Sequence, residues 1–180
     1  MITEPLTVEI VAMRRRHLRA VLRIEEQVYP RPWSSSLFLS ELALRSSRAY
    51  SVARVGREVV GYAGVMISFE DAHVTTIAVD PLWHRRGIAT RLMVALARES
   101  LVRGARNLTL EVRMSNKGAQ EMYRRFGFGP VGVRKNYYQE TNEDALVMWV
   151  HDIDSPEYAQ LLAGIEARLP GDTIYESPKR

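Results

Sequence analysis

The chain has 180 residues, 46% of them apolar and 26% charged, with a formal net charge of +4 and no cysteine. That length makes one domain around one substantial core the default, and that composition excludes a disorder-dominated chain. The missing thiols exclude a disulfide scaffold, a thiolate zinc site and a cysteine nucleophile. The opening MITEPLTVEI lacks the basic-then-apolar profile of a signal peptide, and no apolar stretch reaches membrane-spanning length. A cytoplasmic protein with no membrane partner is therefore expected. The charge is uneven: from Asp152 onward six acids face three bases, which leaves the preceding body at net +7. A basic body suits an anionic ligand or a nucleic-acid-rich neighbourhood, and it equally suits a solvated arginine-rich surface.

Leu6 to Met13 alternates weakly and is rich in β-formers, which predicts a first strand. Leu18, Val21, Leu22, Glu25 and Val28 follow helical spacing, apolar at every position but Glu25. Tyr29-Pro30-Arg31-Pro32-Trp33 ends that helix, because two prolines in three residues cannot continue it. Ser34 to Ser36 offer caps for a short second helix carrying Leu37, Leu39, Leu42 and Leu44. Tyr50 to Val55 and Val59 to Phe69 form a hairpin about Gly56-Arg57, and Val74 to Val79 is a fourth strand.

Gly87 to Arg103 reads as a helix with Ile88, Leu92, Ala95 and Leu96 as its buried stripe and Gly104 as its stop. Leu108, Leu110 and Val112 alternate with Thr109, Glu111 and Arg113, a half-buried strand. Ala119, Met122, Tyr123 and Phe126 mark another helix, stopped by Gly127; Val131 to Tyr138 and Ala145 to Val150 are two more strands. Ser155-Pro156-Glu157 starts a last helix, and the tail from Pro170 to Arg180 is expected to fray. The order predicts an α/β sandwich around a mixed sheet, with residues 1–150 as the body and 151–180 as a C-terminal helix and flexible tail.

The most informative stretch is the strand end Ile77-Ala78-Val79-Asp80-Pro81 running into His84-Arg85-Arg86-Gly87-Ile88-Ala89-Thr90. A strand emptying into a glycine-started helix exposes unpaired N–H groups at the positive end of a helix dipole, a ready anion site. The hexad is neither a Walker A loop, lacking GK[ST], nor a Rossmann fingerprint, having Ala89 and Leu92 where glycines belong. Alone, it reads equally as a plain helix start. Glu111, mid-strand and opposite in face to Leu110 and Val112, is a candidate general base, or else a surface carboxylate paired with Arg113 or another arginine. Tyr123 is either a core aromatic or a phenol placed to donate a proton, and Asn116 is either a helix cap or a ligand contact. His73 and His84 have no second ligand at metal spacing, so no metal site is expected. Asn136-Tyr137-Tyr138 is a polar-aromatic cluster that fits peptide recognition or simple packing.

Taken together, these segments resemble the GNAT acetyltransferase superfamily over nearly all of residues 5 to 150. The signature [QR]-x-x-G-x-[GA] follows a V-D-P strand end, and here His84 stands where Gln or Arg is usual. Because amides bind the phosphate, that departure is expected to be tolerated. Within the superfamily the chain is most similar to the ribosomal-protein-alanine N-acetyltransferase (RimI) group. The matching segments are Pro32-Trp33-Ser34, Leu110-Glu111-Val112-Arg113 with Ser115-Asn116, Met122-Tyr123, Phe126-Gly127-Phe128 and Arg134-Lys135-Asn136-Tyr137-Tyr138.

The resemblance implies a central mixed, mostly antiparallel sheet flanked by helices, with acetyl-CoA as cosubstrate. It implies that main-chain groups of Ile77, Ala78 and Val79 pair with the pantetheine arm. Amides of Arg85, Arg86, Gly87, Ile88, Ala89 and Thr90 would hold the pyrophosphate, with Asn116 touching the cosubstrate. Glu111 would be general base and Tyr123 general acid, and Trp33, Tyr137 and Tyr138 would flank the acceptor. That acceptor would be a protein N-terminus, on a ribosomal protein, and no direct nucleic-acid contact is expected. Two alternatives stay open: transfer to a lysine or small amine, and a non-catalytic acyl-CoA-sensing module. The latter has no need of Glu111 and Tyr123 together.

Overall fold

An extra residue in one strand shapes the architecture. In the computed structural model, which describes residues 5–176, β3 (Glu58–Ser68) and β4 (Asp71–Val79) pair antiparallel with a register shift. Gly64 faces Thr76 and Val65 faces Val74, so Thr75 is a residue without an opposite number. Such a bulge bends its strand and sharpens its twist. Gly64 permits this: a Cβ there would fall within the ring of Tyr50, whose hydroxyl lies 3.1 Å from the Thr75 hydroxyl.

The remaining strands are β1 (Thr7–Ala12), β2 (Arg48–Val55), β5 (Asn107–Arg113), β6 (Gly129–Tyr138), β7 (Glu143–Val150) and β8 (Asp172–Tyr175). They form one sheet in the order β6-β7-β5-β4-β3-β2-β1-β8. All neighbours are antiparallel except β4 with β5 and β1 with β8. The expected mixed, mostly antiparallel sheet flanked by helices is found. The fourth strand starts at Asp71, three residues earlier than predicted, because polar Asp71 and His73 break the apolar pattern while still pairing on both sides.

On one face lie α1 (Leu18–Val28) and α2 (Ser35–Ala43), whose Val21, Ile24 and Phe38 are fully buried against Val52 and Tyr62. On the other lie α3 (Ile88–Val102), α4 (Lys117–Arg125) and α5 (Pro156–Ala167), packed through Leu92, Leu96, Tyr123 and Leu162. Each such fully buried apolar side chain contributes about 1.5–3 kcal/mol. Glu25, the polar interruption in the first helical stripe, is buried too. It accepts from the Trp33 N–H (2.9 Å) and the Tyr62 hydroxyl, and so fixes the chain that leaves α1.

The C-terminal segment departs from expectation. Instead of fraying from Pro170, Asp172–Tyr175 adds to the sheet as β8, parallel to Thr7–Ile10. Arg91 of α3 makes this possible. It is wholly buried and donates from Nε to Thr173 Oγ1 (2.8 Å), from Nη1 to the Arg86 carbonyl (3.0 Å) and from Nη2 to the Pro170 carbonyl. Residues 177–180 of the predicted tail lie outside the described residues.

Gly64→Ala tests the bulge. The added methyl must displace the Tyr50 ring, and overpacking of this kind costs about 1–3 kcal/mol. Urea unfolding is expected to give a lower midpoint at unchanged slope; an unchanged midpoint would show that the ring has room to move.

Candidate active site

The bulge opens a cleft. β4 pairs with β5 at only three positions, Asp71–Asn107, Ala72–Leu108 and His73–Thr109, after which the two strands part. Beyond that point β4 still pairs with β3 on its other side. The Asp80 N–H donates to the Val60 carbonyl (2.8 Å), so by antiparallel alternation Ala78 exchanges its bonds with Tyr62. Main-chain groups of Ile77 and Val79 therefore point into the cleft. The Ile77 carbonyl accepts from the Tyr29 hydroxyl (2.7 Å), and the Val79 carbonyl lies 3.1 Å from His84 Nε2. Ala78 differs from its predicted use, since its main chain is committed to β3.

At the end of β4 the chain turns sharply into α3. Asp80 caps the turn by accepting from the Leu82 N–H (3.0 Å), and Arg86 lies over the Trp83 ring at 4.8 Å. Arg85 and Gly87 both have left-handed backbones, with φ of 63° and 74°. Tight turns of this kind gather successive N–H groups into an anion-binding concavity. A Cβ on Gly87 would lie 2.8 Å from Leu169 and 2.9 Å from the Arg91 guanidinium, so any side chain there would displace them and be strained in this left-handed backbone. The first backbone bond of α3 runs from the Arg91 N–H to the Gly87 carbonyl (3.1 Å), leaving Ile88, Ala89 and Thr90 N–H groups without an intrahelical acceptor. Asn116 caps α4 through its side-chain oxygen, which accepts from the Ala119 N–H (3.1 Å). Its amide nitrogen is not used by that cap.

Across the cleft, β5 supplies Glu111. Its carboxylate is nearly buried and accepts from His73 Nε2 on β4 (2.5 Å), while Arg134 Nε on β6 stands 3.3 Å from the other oxygen. The His73 hydrogen bond is the main reason that its pKa lies below the ordinary carboxylate range, with the Arg134 charge acting the same way. The arginine beside Glu111 is thus Arg134 rather than Arg113, which pairs with Glu140 and Glu143 and covers the Tyr138 ring at 3.9 Å.

The register of β6 with β7 slips between Arg134 and Tyr138, and Asn136 adopts a left-handed backbone there, its N–H held by Asp144 (2.7 Å). That slip carries two aromatics to the cleft. The Tyr138 hydroxyl reaches the Glu111 carbonyl (3.4 Å), and Tyr137, half exposed, meets Tyr138 edge-on at 5.1 Å. Tyr123 reaches the same region from α4. Burial pushes its phenol pKa up, and the nearby Tyr29 and Tyr138 push it further.

Glu111, Tyr137 and Tyr138 thus converge, Tyr123 stands within electrostatic reach of Tyr138 and Tyr29, and Tyr29 binds the Ile77 carbonyl at the cleft edge. Trp33 stands apart, tilted against Phe38 with ring centroids 5.2 Å apart in the α1–α2 layer. Sequence reasoning missed three members: Tyr29, read only as the residue before a proline break; Arg134, quoted but given no role; and His73, read as isolated. The signal for His73 was parity, because His73 and Glu111 share a sheet face once His73 pairs with Thr109.

Residues 18–128 match the acetyltransferase (GNAT) family. The chain is similar to the N-alpha-acetyltransferase RimI of Mycobacterium tuberculosis, 38% identical over 153 residues that cover 81% of this chain and 92% of the relative. It is also similar to the ribosomal protein bS18-alanine N-acetyltransferase of Escherichia coli K12, 33% identical over 141 residues, 77% of this chain and 94% of that one. Among solved structures, the Escherichia coli ribosomal-protein-S18-alanine N-acetyltransferase superposes with a TM-score of 0.73 at 30% identity, covering 81% and 94% of the two chains.

Because the Glu111 pKa is depressed in the folded protein, its pairing stabilises the fold above the ordinary carboxylate range and is lost as pH falls through the folded value. In His73→Ala the Glu111 carboxyl is expected to titrate at higher pH than in the wild type, measured by carbon-detected NMR. An unmoved midpoint would mean that the His73 contact does not hold it ionised.

Proposed function

The chain belongs to the GNAT acetyltransferase family and is an acetyl-transferring enzyme; from that premise we propose that it acetylates the N-terminal α-amine of a protein, with Glu111 as proton acceptor and Tyr123 as proton donor. The observation that carries the reading is the parting of β4 and β5, with an ionised Glu111 on one side of the opening and a protonated Tyr123 on α4 within electrostatic reach of Tyr29 and Tyr138, which border the same opening.

Members of the family use acetyl-CoA, and the residues present fit it. The cleft edge offers the Ile77 and Val79 main chain, and the α3 N-terminus offers free amides beside Arg85 and Arg86. Bound there, acetyl-CoA supplies an activated acyl group on sulfur. The Asn116 amide nitrogen is available to it, and Arg85 and Arg86 add long-range attraction.

An α-amine has a pKa of about 7.7–8.0, so freeing it at neutral pH costs about 1 kcal/mol, whereas a lysine at about 10.4 costs about 4–5. A carboxylate already ionised by His73 and Arg134 is a weak base. It suits the first acceptor better than the second. Glu111 receives the proton that the amine releases as the new C–N bond forms, directly or through one water. Tyr123 keeps its proton until the C–S bond breaks and then delivers it to the departing sulfur. With no cysteine in the chain, direct transfer needs no acyl-enzyme.

Tyr137 and Tyr138 border Glu111 and are suited to flank the first residues of the acceptor, and Tyr29, at the end of α1, reaches the cleft edge through the Ile77 carbonyl. The names of the Escherichia coli relatives point to an N-terminal alanine on a ribosomal protein as the acceptor.

Glu111→Gln and Tyr123→Phe are each expected to lower kcat by at least about a hundredfold while CoA affinity stays within about twofold. Turnover at the wild-type level in either variant removes that role. A peptide panel starting with Ala, Ser or Met, set against N-blocked peptides bearing an internal lysine, is expected to be acetylated only at free α-amines. A preference for lysine would overturn the acceptor assignment.

A further inference from the structure

The proposed chemistry leaves part of the basic body without a use. The ten residues from Arg14 to Arg23 hold five arginines and no acid. They form the entry to α1 and its first turns, and no acidic residue stands in the first turn. Cations at that end of a helix oppose its dipole, so this stretch works against its own helix. A local rule broken without a local gain points to a function.

The fold gathers more arginine around them. β2 pairs with β3 across a second bulge, where Ala53 faces Gly61 and Arg54 faces Val59, so Val60 has no opposite number. Arg54 shares the sheet face of Val52 and so points beneath α1, and Arg57 follows at the hairpin tip. Between α1 and this hairpin lies a concavity of about 340 Å³, with Arg16, Arg23, Arg54 and Arg57 on its wall against one acid, Glu58. Its apolar lining is only Ala20 and Val59, so it offers little to a lipid chain or a stacked base.

Three arginines of the patch are committed within the chain: Arg14 to Glu176, Arg54 to Glu9 and, more loosely, Arg23 to Asp80 (3.7 Å). Arg15, Arg16, Arg19 and Arg57 are exposed and form no ion pair among the described residues. Arg54 keeps a donor over as well, because its Nε is buried without a hydrogen-bond partner. Burial, and then the charges of Arg16, Arg54 and Arg14, push the His17 pKa below its ordinary value, so the cations crowd closely enough to act on one ring. Like charges held this way repel one another, and a polyanion relieves them. Guanidinium forks match phosphate oxygens in particular.

We propose that this patch, where α1 meets the β2–β3 hairpin, binds the phosphate backbone of RNA. The choice of RNA rests on the proposed ribosomal acceptor, since a ribosomal protein is presented beside RNA; the anion-binding assignment rests on the arginines alone. It departs from the expectation of no direct nucleic-acid contact, which came from the family resemblance and not from charge. Contacts made to phosphates fix position and read no sequence, so the patch would hold the enzyme near its acceptor.

The test is fluorescence anisotropy with a short labelled RNA hairpin and the full chain, saturated with CoA to occupy the cleft. Wild type is expected to bind with log K falling against log salt at a slope of about −3 to −4, one contact for each unpaired arginine. Arg57→Ala should lower that slope by about 1. Arg16→Ala combined with Arg57→Ala should lower it by about 2 and weaken binding at least about tenfold. Arg124→Ala with Arg125→Ala, an equal loss of charge on α4, should change neither. The Arg16 and Arg57 double variant is expected to acetylate free peptides at the wild-type rate. Unchanged RNA binding in that variant, an equal loss in the α4 variant, or loss of its peptide acetylation would each overturn the proposal. So would RNA binding that CoA abolishes, or that polyglutamate displaces as readily as unlabelled RNA does. A wild type that acetylates peptides but binds no RNA sinks this proposal and leaves the acceptor reading standing; one that binds RNA but acetylates no free α-amine does the reverse.

Discussion

A strand with one residue too many cannot stay in register with its neighbour and remain straight. Thr75 is that residue, and the bend it puts into β4 parts this strand from β5 after three pairs. The sheet is thereby left open in its middle, where backbone groups would ordinarily be paired. The opening is lined rather than filled: Tyr29 and His84 take the carbonyls of Ile77 and Val79, and the Ile77 and Val79 N–H groups face the same way. The rest of the candidate site is assembled around this gap. Loss of the bulge would close β4 onto β5 and bury the edge that the site uses.

The proposed chemistry rests on environments that push two groups in opposite directions. Glu111 is held ionised by a histidine and an arginine, while Tyr123 is held protonated by burial and neighbouring phenols. Groups separated in this way suit the proton acceptor and proton donor of one reaction. Neither group achieves this alone. Glu111 depends on β4 for His73 and on β6 for Arg134, so three strands must meet before the carboxylate has its character.

Much of the fold was legible because its elements are local. The Ser34 and Ser155 caps, the Gly56 turn and the alternation of Leu108, Leu110 and Val112 all appear where spacing put them. The anion-binding turn was legible for the same reason, since strand, turn and helix are contiguous in sequence. Contacts made at long range were not. The pairing of His73 with Glu111 depends on the strand order, and β8 depends on a buried arginine 82 positions away from Thr173. Ala78 shows the remaining gap: a resemblance names a stretch of three residues, but antiparallel alternation leaves only Ile77 and Val79 facing the cleft.

That alternation offers the most direct test of the account. Amide exchange followed by NMR, with and without CoA, reads each N–H of the cleft edge and the α3 turn separately. The account predicts added protection at Ile77, Val79 and residues 87–90, with Ala78 unchanged because Tyr62 already holds it. Protection that fell elsewhere on the chain, or that left Ile77 and Val79 as they were, would contradict the assignment of the cleft as the cosubstrate site.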